Sequence, residues 1–189
     1  FSCFIHQVGL LILASYIFYN LYYIFTSKIK NKIFINIVLL ITAIIIAKYI
    51  VTPLLLNFSE RVISYSNTDY ANKRDLLSLP NIRAILLTIF TLLFSKKEMF
   101  NNKTFLFLLY SLIIGLAFRL GFSDFLILSG RLATALTYSE IFIIPYILHK
   151  RFSKRSAVMI SLTYFIIHTY ISLFIQSPIL LDTYFIQLS

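Results

Sequence analysis

Long runs of apolar residues restrict the fold of this chain more than any other feature of its sequence. A helix that crosses a bilayer needs roughly 20 consecutive apolar residues, and charged clusters divide the chain into six segments of about that length. Hydrophobic residues make up 59% of the 189-residue chain, against roughly 45–50% in soluble domains, so lipid must cover the surplus. The sequence therefore predicts an all-α, polytopic membrane helical bundle of about six transmembrane helices in a single transmembrane domain. The predicted spans are about 3–25, 33–56, 76–95, 104–122, 130–148 and 157–175.

Basic residues collect in alternate loops and give the predicted bundle an orientation. The net charge of +10 would favour nucleic acid as a partner of a soluble protein, but basic residues also concentrate in the cytoplasmic loops of membrane proteins. We therefore expect membrane lipid, and no nucleic acid, as a partner. Loops 26–32, 96–103 and 149–155 are rich in lysine and arginine and share one side, which should be the cytoplasm. Both ends of the chain are then expected outside.

The start of the chain and its cysteine content add two expectations. The sequence opens as FSCFIHQ, without a methionine and inside an apolar segment, which favours a C-terminal part of a longer polytopic protein. A single cysteine, Cys3, permits no intramolecular disulfide and no cysteine-based zinc site. The three histidines have no metal-ligand spacing, so the sequence predicts neither a metal nor a cofactor.

Four polar residues fall inside the predicted spans, where such residues are rare and are usually functional. Helix rise places Lys48 about 12 Å, Glu140 about 15 Å and His168 about 10 Å from the nearer outer end, and His6 lies near the outer end of the first span. Their shared depth favours a polar cavity open to the outside. The alternative is that each is a structural polar residue, with Lys48 and Glu140 forming an ion pair.

Basic residues also accumulate in or beside the predicted outer loops. Guanidinium groups bind phosphate oxygens in bidentate fashion, so such residues could line a site for an anionic substrate. The alternative is ordinary loop charge, which we favour for Arg61, Lys73 and Arg74. For Arg119 and Arg131 we favour a functional role, because they bracket the apolar segment LGFSDFLILSG, which could dip into the membrane at a cavity. The whole set is Arg61, Lys73, Arg74, Arg83, Arg119 and Arg131.

Three stretches resemble the Wzy-type polysaccharide polymerases, most closely the C-terminal part of the EpsG branch. FIHQVGLLILASYIFY resembles that family's helix with a histidine near its outer end. GRLATALTYSEIFIIPYILHK resembles its arginine, then a helix with an embedded glutamate, then a proline before a basic loop. NFSERVISYSNTDYANKRD resembles its long outer loop with a central tyrosine, here Tyr65 or Tyr70.

The resemblance implies a fold of the GT-C type and a glycosyltransferase activity. Such polymerases join oligosaccharide repeat units carried on undecaprenyl diphosphate at the outer face of the bacterial inner membrane, making O-antigen, capsule or exopolysaccharide. Arg119 and Arg131 would bind the diphosphate, with Arg83 and Arg74 behind them. Glu140 or His6 would act as the base, whereas Lys48 and His168 would be structural or functional buried polar residues. The implied partners are a lipid-linked oligosaccharide and a chain-length regulator protein.

Two other functions remain open at this point. A transporter or flippase for a lipid-linked or anionic solute would also use outer arginines and a buried Lys–Glu pair. Four glycines and four prolines are few for the broken helices common in transporters. A membrane acyltransferase or a non-catalytic subunit is the third hypothesis, and the absence of an HxxxxD motif argues against the acyltransferase.

Overall fold

Helices account for nearly all of the chain that the structure describes. The computed structural model describes residues 15–24, 31–54, 78–123 and 126–176, without the side chains of 126–128, 131, 175 and 176. It is 91% helical, and these ranges contain no strand, which confirms the predicted all-α membrane bundle. The helices are α1 (described over 15–24), α2 (Lys32–Ile46), α3 (Leu79–Phe94), α4 (Lys103–Gly121), α5 (Leu126–Thr137), α6 (Glu140–Arg151) and α7 (Lys154–Tyr170). π-helical turns continue α2 over Ala47–Val51 and α7 over Ile171–Gln176, and a 3-10 turn covers Lys97–Asn101.

Four stretches of the described chain are long and apolar enough to cross a membrane. They are Lys32–Leu54, Lys103–Gly121, Leu132–Arg151 and Lys154–Phe174. Helix α3 has 16 residues, a length of about 24 Å, and is shorter than the roughly 30 Å hydrocarbon layer. It begins at Leu79 with Pro80 in its first turn, where the missing amide of proline does no harm.

Each of the three predicted basic loops contains, near its end, a side chain that caps the helix that follows. Asn31 accepts a hydrogen bond from the amide of Phe34 at the start of α2, and Asn102 accepts one from Phe105 at the start of α4. Ser153 does the same for Ser156 at the start of α7. These bonds satisfy amides that the helix itself leaves without partners, so each helix begins directly after its loop.

The chain divides into two compact units, Phe1–Ile143 and Ile144–Ser189, and each is described by itself. In the first unit α4 is the central helix: 67% of its most apolar window is buried, against 11% for the span that begins with α2. It packs against α2, α3 and α5. The second unit contains most of α6 and all of α7, whose span is also 11% buried, leaving an apolar surface suited to lipid.

Two glycines bring α4 into close contact with its neighbours. A Cβ on Gly121 would lie 2.5 Å from the Cβ of Ala47, at the π-helical turn of α2. A Cβ on Gly115 would lie 2.9 Å from Cγ2 and 3.1 Å from the backbone nitrogen of Thr137, at the end of α5. Small residues allow helix backbones to approach in this way inside membranes, so these two positions set the spacing of three helices.

The aromatic side chains of α1 meet α2 and α4 near the starts of those two helices. The Tyr19 hydroxyl donates to the carbonyl of Lys103 at 2.8 Å, and the Tyr22 hydroxyl donates to Oδ1 of Asn36 at 3.2 Å. The Lys103 ammonium lies 5.3 Å from the centre of the Tyr23 ring. Tyr19 and Tyr23 of α1 therefore lie beside Lys103, the first residue of α4.

The predicted span 130–148 is interrupted in the structure. Helix α5 ends at Thr137, α6 begins at Glu140, and Tyr138 and Ser139 form a turn between them. Around this turn the amides of Ser139, Ile141 and Phe142 bond to the carbonyl three residues earlier, which is the tighter 3-10 pattern. The break puts Glu140 in the first turn of a helix, next to the Gly115–Thr137 contact.

We predict that Gly115→Ala destabilises the protein by about 1–3 kcal/mol, because the new methyl group overpacks against Thr137 and its backbone. The matched control is Gly130→Ala, whose Cβ would meet nothing within 4 Å and which should be neutral or stabilising by up to about 1 kcal/mol. Thermal unfolding of the two variants in the same detergent measures the difference. Equal melting temperatures would show that the close approach at Gly115 is not a constraint.

Candidate functional site: an ion pair inside the membrane

An ion pair joins α3 to the first residue of α6. Nη1 of Arg83 lies 3.2 Å from Oε1 of Glu140, close enough for a charge-assisted hydrogen bond. The Glu140 side chain is 11% exposed and the Arg83 side chain 27%. The carboxylate is therefore enclosed by protein, whereas the Arg83 side chain, whose guanidinium has five donors, is partly exposed.

Both members of the pair lie in the N-terminal parts of their helices, well before the ends of those helices. Arg83 precedes the end of α3 at Phe94 by 11 residues, and Glu140 precedes the end of α6 at Arg151 by 11 residues. Each distance corresponds to about 16 Å of helix, which is half of the roughly 30 Å hydrocarbon layer. A charge at that depth is costly unless it is paired, so each member of the pair stabilises the other.

Further buried polar residues of the first unit lie near the start of α3, near the end of α4 and near the start of α5. Helices α3 and α5 both pack against α4. Arg119 is 7% exposed and lies two residues before the end of α4. Buried Asn81, Ser123 and Ser129 complete the set. Arg119 and Arg83 were both predicted as anion-binding residues, and the first unit contains both.

The predicted polar residues Lys48 and His168 are half-buried within the described chain. Lys48 lies in the π-helical turn that follows α2, and the ring of His168 stacks on Tyr164, with centroids 6.3 Å apart. Glu140 pairs with Arg83, so the alternative of a Lys48–Glu140 ion pair is wrong. The other predicted site residues lie outside the described part: His6, Arg74, Tyr65, Tyr70 and the side chain of Arg131.

An apolar groove with a volume of about 420 Å³ runs between α2, α3 and α4. Its wall is aliphatic except for Thr88, whose hydroxyl bonds to the carbonyl of Ala84 at 2.9 Å. Along α3 the groove reaches Ile85, two residues after Arg83, and along α4 it reaches Leu120, directly after Arg119. The groove residues are Ile33, Ile37, Leu40, Ile85, Thr88, Ile89, Leu92, Leu93, Leu116 and Leu120.

Sequence reasoning assigned Arg83 and Glu140 to separate roles and missed that they meet. The predicted spans 76–95 and 130–148 do not say which faces of the two helices turn toward each other. The groove was missed as well, because it is formed by residues of three helices. In the part of the chain that the structure describes, no three His, Cys, Asp or Glu side chains lie together as metal ligands.

A helical bundle with helices long and apolar enough to cross a membrane defines an integral membrane protein, and its first unit contains an ion pair and an apolar groove. Residues 1–187 match the EpsG family, and the chain belongs to this family of Wzy-like polysaccharide polymerases. The resemblance stated from the sequence is thereby confirmed, and the protein is a membrane-embedded member of a polysaccharide-biosynthesis family. No curated protein and no solved structure matches the chain.

The ion pair can be tested by a double-mutant cycle with Arg83→Leu and Glu140→Leu. Each single variant removes the ionic partner of a buried or partly buried charge, and we expect a loss of about 3 kcal/mol in the free energy of unfolding. The double variant should lose less than either single variant, since replacing both partners removes the unpaired charge.

Reversible unfolding in detergent supplies the four free energies, with Glu98→Gln, an exposed acid in the loop after α3, as a neutral control. If the two losses simply add in the double variant, the pair contributes no coupling and the geometry has been misread.

Proposed function

We propose that the protein polymerises oligosaccharide repeat units carried on undecaprenyl diphosphate, at the outer face of the bacterial cytoplasmic membrane. The observation that carries the proposal is the apolar groove, two of whose three helices also carry Arg83 and Arg119. A polyprenyl chain needs an aliphatic surface within the membrane, and a diphosphate needs guanidinium groups. The groove and the residues Arg83 and Arg119 supply both on neighbouring helices.

In this proposal Arg83 and Arg119, with Arg131 and Arg74, hold the diphosphate. The acceptor hydroxyl attacks the anomeric carbon of the growing glycan, the bond from that carbon to the diphosphate oxygen breaks, and undecaprenyl diphosphate leaves as an anion. Positive groups aimed at the leaving oxygens stabilise the charge that develops there. The Arg83 side chain is partly exposed, and in this proposal its guanidinium makes this contact.

The proton of the acceptor hydroxyl passes to a base, for which Glu140 and His6 are the candidates. Glu140 is held by Arg83 at 3.2 Å, so a diphosphate that engages Arg83 competes for the same cation. Binding of the substrate would then loosen the ion pair and leave the carboxylate able to accept the proton. This order of events couples base activation to the presence of the leaving group.

The partners that follow are the lipid-linked oligosaccharide and a chain-length regulator protein. Lys48 and His168 have no direct part in this chemistry, and both ends of the chain lie outside in the proposed orientation. The aliphatic groove favours the polymerase over transport of a small anionic solute, because such a solute has no apolar chain to fill it. A flippase for the same lipid would share the groove but would make no glycosidic bond.

We predict that Arg83→Ala and Arg119→Ala lower polymerisation about 100-fold, the usual effect of removing one charge-stabilising donor. The test is complementation of a deletion strain, with glycan chain length read on gels and lipid-linked intermediates extracted. Single repeat units on lipid should accumulate. The control is Arg155→Ala, an exposed arginine near the start of α7, which should make normal chains. Long chains from either site variant at normal protein levels would remove the assigned role.

A further inference from the structure

A second cavity, of about 210 Å³, lies where the turn between α5 and α6 faces α1 and α4. Three of its wall residues are serines from three different elements: Ser15 of α1, Ser111 of α4 and Ser139 of the turn. They are 7%, 5% and 6% exposed, respectively. Much of the remaining wall is aromatic or aliphatic, including Phe107 and Phe142. Buried hydroxyl groups thus line an otherwise largely apolar cavity that is open on the side of Tyr138 and Phe142, both of which are exposed.

Two of these hydroxyls have no hydrogen-bond partner within the described ranges. They are Oγ of Ser15 and Oγ of Ser139. A buried hydroxyl without a partner costs about 1–3 kcal/mol. Ser139 directly precedes α6, the position where a serine normally caps the helix by accepting a backbone amide bond, yet its hydroxyl makes no such bond.

The backbone at this cavity is also unusual for a membrane protein. Tyr138 and Ser139 form a turn with 3-10 hydrogen bonds between the α-helices α5 and α6, and Ser139 precedes Arg151 by 12 residues, or about 18 Å of helix. Non-helical backbone at membrane depth is tolerated where it is buried in protein or lines a water-filled cavity. Both residues of this turn line the cavity.

We propose that the cavity is a binding site for a cluster of water molecules that bond to Ser15, Ser111 and Ser139. A buried water needs two to four polar partners and occupies roughly 30 Å³, so this volume holds several. Cavities that hold no water are lined by apolar groups, whereas this cavity is lined by two hydroxyls that lack a hydrogen-bond partner in the described part of the chain. The water stabilises the turn between α5 and α6, which puts Glu140 at the start of α6 and opposite Arg83. The water site does not depend on the reaction proposed above.

Thiol reactivity tests for water, because the reactive thiolate forms in water and is suppressed in apolar surroundings. The background is the full chain carrying Cys3→Ser. The rate at which a small cationic methanethiosulfonate modifies the new thiol in membranes is measured for Ser139→Cys and Ser111→Cys and compared with the rate for Ser161→Cys. Ser161 is equally buried, at 6% exposed, but its hydroxyl bonds to the carbonyl of Ala157 at 2.8 Å. We expect both cavity thiols to react at least about tenfold faster than the control.

A filled cavity provides the second arm of the experiment. Ala135 lines the cavity, four residues before Ser139 and on the same face. Ala135→Leu added to Ser139→Cys should lower the reaction rate about tenfold, because the larger side chain displaces the water. Rates equal to that of Ser161→Cys, or a Ser139→Cys rate that the filling variant does not change, would overturn the proposal. Neither arm depends on polymerase activity, so failure of the water site and failure of the proposed function remain distinguishable.

Discussion

A carboxylate enclosed in the middle of a membrane protein has to be neutralised, and this requirement organises the first unit of the structure. Glu140 meets Arg83 at 3.2 Å, although 57 residues separate them along the chain. The contact is possible because both lie about 16 Å from the ends of their helices and because the break after Thr137 starts a new helix at Glu140. Removing one partner would leave a buried charge whose cost exceeds most single packing contacts.

The position of that break depends in turn on α4. Gly115 lets the end of α5 approach α4 so closely that even a methyl group would collide with Thr137. Gly121 does the same for α2 at Ala47, and the apolar groove forms between α2, α3 and α4. The same central helix carries Arg119 one residue before the groove residue Leu120. The groove and the buried charges are therefore held by one set of close helix contacts.

Much of the helical architecture follows from the sequence, because long apolar runs must span the bilayer. Basic loops that end in a helix-capping side chain mark where α2, α4 and α7 begin. The membership in a polymerase family could also be predicted, from three stretches that resemble the family, one of which contains Glu140. The break at Tyr138 and Ser139 could not, since nothing local forbids a helix there and the close contact at Gly115 is tertiary. One alternative prediction paired Glu140 with Lys48, whereas the structure pairs it with Arg83. Depth in the membrane can be counted along a sequence, but the sequence does not show which sides of two helices face each other.

The central claim is that the groove takes a polyprenyl chain whose diphosphate reaches Arg83 and Arg119. The most direct measurement is photo-crosslinking of the purified protein with a polyprenyl diphosphate that carries a diazirine near the end of its chain, followed by peptide mapping. The account predicts adducts in α3 and α4 at groove positions such as Ile89 and Leu116, and competition by undecaprenyl diphosphate. Adducts spread evenly over the exposed apolar faces of α2 and α7, unaffected by the competitor, would contradict it.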